Sequence, residues 1–173
     1  MQLSYRISSF VMILLLLFGC SKKKTESELW GEAELFEKEE NYQSALNDYE
    51  QIVKDYPRGE KSAEALQKAA FLYYNNLNEF KKAIEVHEKL IKDYPESEYV
   101  PQARFMIGFI YANDLKDYDM ARHYYNEFLE KYPDSELVAS VKWELEHLGE
   151  DVNEQLKDLF GDGKTEGAAN VKK

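Results

Sequence analysis

Tyrosine followed by proline recurs at a fixed interval in this chain. The stretches "VKDYPRG" (53–59), "IKDYPES" (91–97) and "LEKYPDS" (129–135) place Tyr56, Tyr94 and Tyr132 38 residues apart, each directly before a proline. A period of this length constrains the fold more than any local motif does. Each copy must be one supersecondary unit, and neighbouring copies must bury one another's apolar faces. Shifting the chain by 38 residues against itself pairs Ala70 with Gly108, Tyr73 with Tyr111, Phe80 with Tyr118, Ala83 with Ala121 and Pro95 with Pro133. Proline lacks the N–H that continues a helix and clashes with the preceding turn. The Tyr-Pro pairs therefore mark where one helix stops and the next must start.

Within a unit the apolar spacing is helical twice over. Leu66, Ala69, Ala70 and Tyr73 fall at i, i+3, i+4 and i+7, and Phe80, Ala83, Ile84, His87 and Leu90 repeat that pattern after a polar turn. The unit is a helical hairpin. Ala70, Gly108, Ala83 and Ala121 sit where helices cross, and Gly108 predicts an especially close approach. Tyr94 is expected in the last turn of its helix with its ring over the junction with the next hairpin, and Ser97 and Ser135 are expected as N-caps. From Ser135, residues Val138, Val141, Leu145 and Leu148 make one face of a capping helix, which a solenoid needs at its open end. A further short helix is expected through Val152, Leu156, Leu159 and Phe160, followed by a disordered tail over 161–173. The fold class is thus all-α: a solenoid of three helical hairpins (about 25–58, 59–96 and 97–134) plus a C-terminal capping helix (135–160).

Ahead of the repeats, residues 1–19 carry one charge, Arg6, and the apolar run "ISSFVMILLLLF" (7–18). Crossing a bilayer takes about 20 apolar residues; this run has the length of a secretory h-region. Cys20, the sole cysteine, stands where the run stops. "LFGC" resembles the lipobox of bacterial lipoproteins, with Phe18 larger than the residue usual there. The resemblance implies a signal peptide over 1–19, lipidation of Cys20, and a short tether over 20–24 that holds the folded part near the membrane. An uncleaved anchor, or plain secretion with a chance cysteine, is the alternative. Ser21 fits outer-membrane sorting by the rule of that family. Lys22, Lys23 and Lys24 suit either anionic headgroups or a solvated linker.

The chain carries a formal net charge of −11, and −12 once Arg6 is removed with the leader. No basic cluster follows Lys24, so nucleic acid is not an expected partner. Motifs of catalysis are missing too. "GDGKT" (161–165) would need glycine at Asp158 to complete a phosphate-binding loop. His87, His123 and His147 lack metal-ligand spacing, and His87 occupies the place of a packing aromatic. The expectation is a protein that is not an enzyme, with no cofactor and no metal.

The repeat resembles the tetratricopeptide repeat. Leu66, Ala69, Ala70, Tyr73, Ala83, His87 and Pro95 fill its signature in one unit; Ile107, Gly108, Tyr111, Ala121, Tyr125 and Pro133 fill it in the next, with Arg104 departing at the large apolar site. Leu29, Ala33, Phe36, Ala45, Tyr49 and Pro57 make a more divergent first unit. The 38-residue period exceeds the usual 34. Longer first helices with a Tyr-Pro junction resemble the BamD-like lipoproteins of outer-membrane β-barrel assembly, and secondly the C-terminal repeats of the Tol-Pal partner CpoB. That resemblance implies a lipid-anchored scaffold on the periplasmic face of the bacterial outer membrane, binding an envelope protein or peptide. It also implies a concave groove lined by the first helices, here through Trp30, Gln67, Phe71, Tyr74, Phe105, Phe109 and Trp143. Phe105 and Phe109 equally suit a core, because "FMIGFIYA" (105–112) is apolar nearly all round. Two alternatives stay open: a CpoB-like accessory of the Tol-Pal system, and a periplasmic carrier of a small molecule or lipid.

Overall fold

The computed structural model describes residues 23–150. Among them are seven helices and no strand: α1 (Glu26–Lys38), α2 (Tyr42–Asp55), α3 (Ser62–Asn75), α4 (Phe80–Asp93), α5 (Val100–Asn113), α6 (Tyr118–Lys131) and α7 (Val138–Glu146). Each odd helix packs most extensively on the even helix after it and next on the one before, with α7 laid more lightly on α6. This is the tetratricopeptide-like stack of three hairpins and a cap. The expected leader, Cys20, the helix through Val152 and Phe160, and the tail lie outside the described residues. No described helix is long and apolar enough to cross a membrane.

Local chemistry explains the breaks. Thr25 opens α1 with a capping box: its hydroxyl accepts from the Glu28 N–H at 3.2 Å, and its own N–H donates to the Glu28 carboxylate at 2.7 Å. Asn41 and Asp117 accept from N–H groups in the first turns of α2 and α6. Each hairpin turn contains one left-handed residue, Glu40 (φ 57°), Asn78 (φ 54°) and Lys116 (φ 55°), again at 38-residue spacing. None is glycine. Only Asn78 is a residue type that visits this region readily.

The second helices end identically. Tyr56, Tyr94 and Tyr132 are C-cap residues with φ between −130° and −133° and ψ of 54° to 56°. They stand one position past the last helical residue, already out of the αR region that a following proline disfavours. Their rings pack on the core, but the hydroxyls of Tyr56 and Tyr94 reach backward, against expectation. Tyr94 Oη donates to the Pro57 carbonyl of the preceding junction at 3.1 Å, and Tyr56 Oη donates to the Lys24 carbonyl at 2.7 Å.

Ser97 and Ser135 also differ from expectation. Each lies two residues before the formal N-cap, Tyr99 or Leu137, and its Oγ accepts from that residue's N–H at 3.3 Å. They cap a turn that leads into the helix. Glycine takes this place at the first junction, where the Glu26 carboxylate of α1 accepts from the Lys61 N–H at 2.9 Å. A Cβ on Gly59 would fall on that carboxylate.

One apolar core runs from Leu29 to Ile110, and a second gathers Ala112, Ala121, Tyr125, Phe128 and Val141 under the cap. Gly108 is the close contact its position predicts. A Cβ there would stand 2.6 Å from Tyr125 Cε1, so the ring of α6 lies directly on the backbone of α5. Arg104, the departure at the large apolar site, is mostly buried and pairs with Glu127 of α6 at 2.9 Å.

Candidate functional site

In a solenoid, residues one repeat apart present the same way. A 37-residue step from α1 to α3 and 38-residue steps afterward align Trp30, Gln67, Phe105 and Trp143 in successive first helices. A second column, one helical turn later, reads Glu34, Phe71, Phe109 and His147. The surface is therefore aromatic from α3 onward and acidic in its second column at α1.

The structure draws part of this set together. Tyr74 and Phe109 meet edge to face with centroids 6.4 Å apart, and Phe109 and Phe105 lie 6.0 Å apart. Phe80 continues the track behind Tyr74 at 5.7 Å, and Tyr125 continues it behind Phe105 at 6.1 Å. Tyr74, Phe105 and Phe109 are half-buried, and for Phe105 and Phe109 this lies between the exposed and the core positions that the sequence left open. Phe71 and Trp143 stand out from this floor, 53% and 51% exposed. Trp143 is stacked on His147 with centroids 4.4 Å apart, and His147 Nδ1 lies 2.8 Å from the Trp143 carbonyl. The indole is thus held in one orientation although it faces water.

Trp30 and Gln67 behave differently. Trp30 packs edge-on to Tyr49 at 5.4 Å, and the Lys61 ammonium sits 4.7 Å over its ring, so it seals the first hairpin against the second. Gln67 is half-buried, and its side-chain oxygen has no hydrogen-bond partner among the described residues. Neither joins the ring contacts of the aromatic track.

The electrostatic setting is phenolic and acidic. Burial pushes the Tyr74 phenol above its usual range, and the Asp114 carboxylate facing it adds to the effect; burial also raises Asp114. Tyr73 is pushed up to about 12, by burial first and then by Glu50, to whose carboxylate it donates at 3.0 Å. At neutral pH these phenols are hydrogen-bond donors. The surface offers flat apolar rings, the side chains enriched at hot spots for a peptide or helix, while the phenols of Tyr73 and Tyr74 are already committed to Glu50 and Asp114.

Reading single helices missed His147, Phe80 and Asp114. The 38-residue register would have found His147, which takes the place of Phe109, whereas nothing in the local pattern marks Asp114 as the partner of Tyr74.

A protein-family model described as YfiO, outer membrane lipoprotein, matches residues 22–154. No curated protein matches the chain.

Proposed function

The chain belongs to the YfiO family of outer membrane lipoproteins, and from that membership we propose that it is a non-catalytic scaffold, anchored by a lipid on Cys20 at the periplasmic face of the outer membrane, that holds a segment of another envelope protein. The role is BamD-like, in outer-membrane protein assembly. The observation that carries this reading is the pair of exposed rings Phe71 on α3 and Trp143 on α7, with the half-buried Tyr74–Phe109–Phe105 track on α3 and α5. Such rings lose little rotamer entropy on binding and bury large apolar area. A CpoB-like accessory role would use the same surface with a different partner.

The test is site-specific photocrosslinking in living cells. A photoreactive residue at Phe71 or Trp143 is expected to capture a β-barrel protein or assembly subunit, identified by mass spectrometry, while one at Lys81 captures none. Capture of Tol-Pal components would move the protein to the accessory reading. Equal labelling from all three positions would remove the groove altogether.

The carrier reading has one observation of its own, a largely apolar open cleft of about 440 Å³ where α2 and α4 flank α3, lined by Tyr49, Val53, Leu66, Ala69 and Val86 together with the charged Glu50, Lys54 and Lys89. Its volume suits one short acyl chain or a small ligand. A stoichiometric ligand seen by native mass spectrometry after detergent-free purification would favour it.

A further inference from the structure

Lys23 and Lys24, the first described residues, are held against the folded part. Lys23 Nζ lies 3.4 Å from the Asp55 carboxylate and 4.9 Å over the ring of Tyr56. Lys24 pairs with Glu32, its carbonyl accepts from Tyr56 Oη at 2.7 Å, and Thr25 closes the capping box of α1. The hydrogen bond to Lys24 follows from the repeat. Tyr94 donates to the backbone carbonyl of the preceding junction at Pro57, and Tyr56, which has no preceding junction, donates to the tether instead. Lys24 thus stands where a preceding unit would present its carbonyl.

We propose that this clasp orients the solenoid on the membrane: the edge formed by the first Tyr-Pro junction faces the lipid surface, and the later junctions lean away into the aqueous space. The inference rests on the lipid attachment at Cys20 read above. Three peptide units separate Cys20 from Lys23, a reach of about 10 Å, so the clasped junction is held close to the headgroups. Charge sets the same direction. The first junction sets Lys23, Lys54, Arg58 and Lys61 against Asp55, Glu60 and Glu26, a slight positive excess, whereas the second sets Lys92 against Asp93, Glu96 and Glu98 and the third Lys131 against Glu130, Asp134 and Glu136, each net negative. An anionic leaflet attracts the first edge and repels the other two within a Debye length. The opposite helix ends, such as the start of α4 at Lys81, stand about 20 Å further out, the length of a 14-residue helix.

The clasp is tested with the full-length lipidated protein in vesicles of phosphatidylethanolamine and phosphatidylglycerol that contain a nitroxide-headgroup lipid. A fluorophore is placed on Glu60→Cys, Glu136→Cys or Lys81→Cys. Quenching is expected to be strongest at position 60, weaker at 136 and near background at 81. Adding Tyr56→Phe and Asp55→Asn, which remove the hydroxyl and the carboxylate of the clasp, should bring 60 and 81 toward equality without loss of helical circular dichroism. Equal quenching at 60 and 81 in protein that sediments with the vesicles overturns the orientation alone. Failure of the unmutated protein to sediment with vesicles overturns the anchor and this inference with it.

Discussion

The second and third hairpins solve one packing problem in two ways. Where α3 meets α4 the corresponding residues are Ala70 and His87; where α5 meets α6 they are Gly108 and Tyr125. A small ring goes with a methyl group, and a large ring goes with no side chain at all. The consequences differ. Tyr125 is fully buried and its hydroxyl extends to Glu144 on the cap at 3.4 Å, so its position also couples the last hairpin to α7. His87 is 2% exposed and its Nδ1 has no hydrogen-bond partner among the described residues. Burial alone pushes its pKa down to about 4. Equivalent positions thus perform pure packing in one unit and packing plus coupling in the next.

The strongest way to break this comparison is Gly108→Leu. The Tyr125 ring already lies where a Cβ would be, so overpacking should cost about 3 kcal/mol, the upper end for such changes. With three hairpins among the described residues, the thermal transition should drop more than for any other substitution considered. Gly108→Ala sharpens the point: it should destabilise the wild type but cost about 1 kcal/mol less in a Tyr125→His background, which recreates the pair of the second hairpin. Additive effects in that double-mutant cycle would mean the two positions do not compensate.

The histidine side of the comparison is read by pH. His87 is neutral when folded, with its pKa down to about 4 from 6.5, so between those values the unfolded chain binds a proton that the folded chain does not. Stability present above pH 6.5 is therefore lost as pH falls toward about 4, by on the order of 3 kcal/mol at about 1.4 kcal/mol per unit. The double variant Ala70→Gly with His87→Tyr places the pair of the third hairpin in the second and removes the titrating ring. Urea melts from pH 7 to 4 should show a shallower decline for it than for the wild type. Parallel declines would assign the acid sensitivity to carboxylates.

Tyr125→Phe keeps the ring and deletes only the link to Glu144. A long bond of this kind is worth about 0.5 to 1 kcal/mol, and the loss should concentrate in hydrogen exchange of α7 rather than of α3. Phe71→Ala should be smallest for the fold. At 53% exposure the ring contributes far less than the roughly 3 to 5 kcal/mol of a buried phenylalanine, so its melt should shift little while partner binding weakens. A large drop in the melting temperature would place Phe71 in the core and remove it from the groove.

Much of this architecture is legible in the letters, because helical periodicity and proline are local signals that a long period repeats. Leu66 to Tyr73 and Phe80 to Leu90 specify two helices and the faces they bury, and Gly108 announces a close contact by being glycine in a helix. The candidate site was legible only in part. Phe71 and Phe109 occupy equivalent positions, yet Phe71 is exposed and Phe109 leans on Tyr74 and Phe105. Exposure depends on which side chains the neighbouring helices contribute, and those lie a whole repeat away in sequence.

The division has a physical cause. By itself the sequence determined what depends on backbone conformation and its period: helices of set length, ends at each Tyr-Pro, a three-hairpin stack with a cap. Tertiary structure alone decided what depends on the direction of a side chain across an interface. Tyr94 and Tyr56 reach backward rather than forward, Glu26 supplies the cap that Gly59 cannot, Arg104 fills an apolar site by finding Glu127, and Lys23 and Lys24 are gripped by the first junction. Each of these pairs is separated by between 23 and 37 residues, where no local pattern carries information and only the stacking of one hairpin on the next brings the partners within reach.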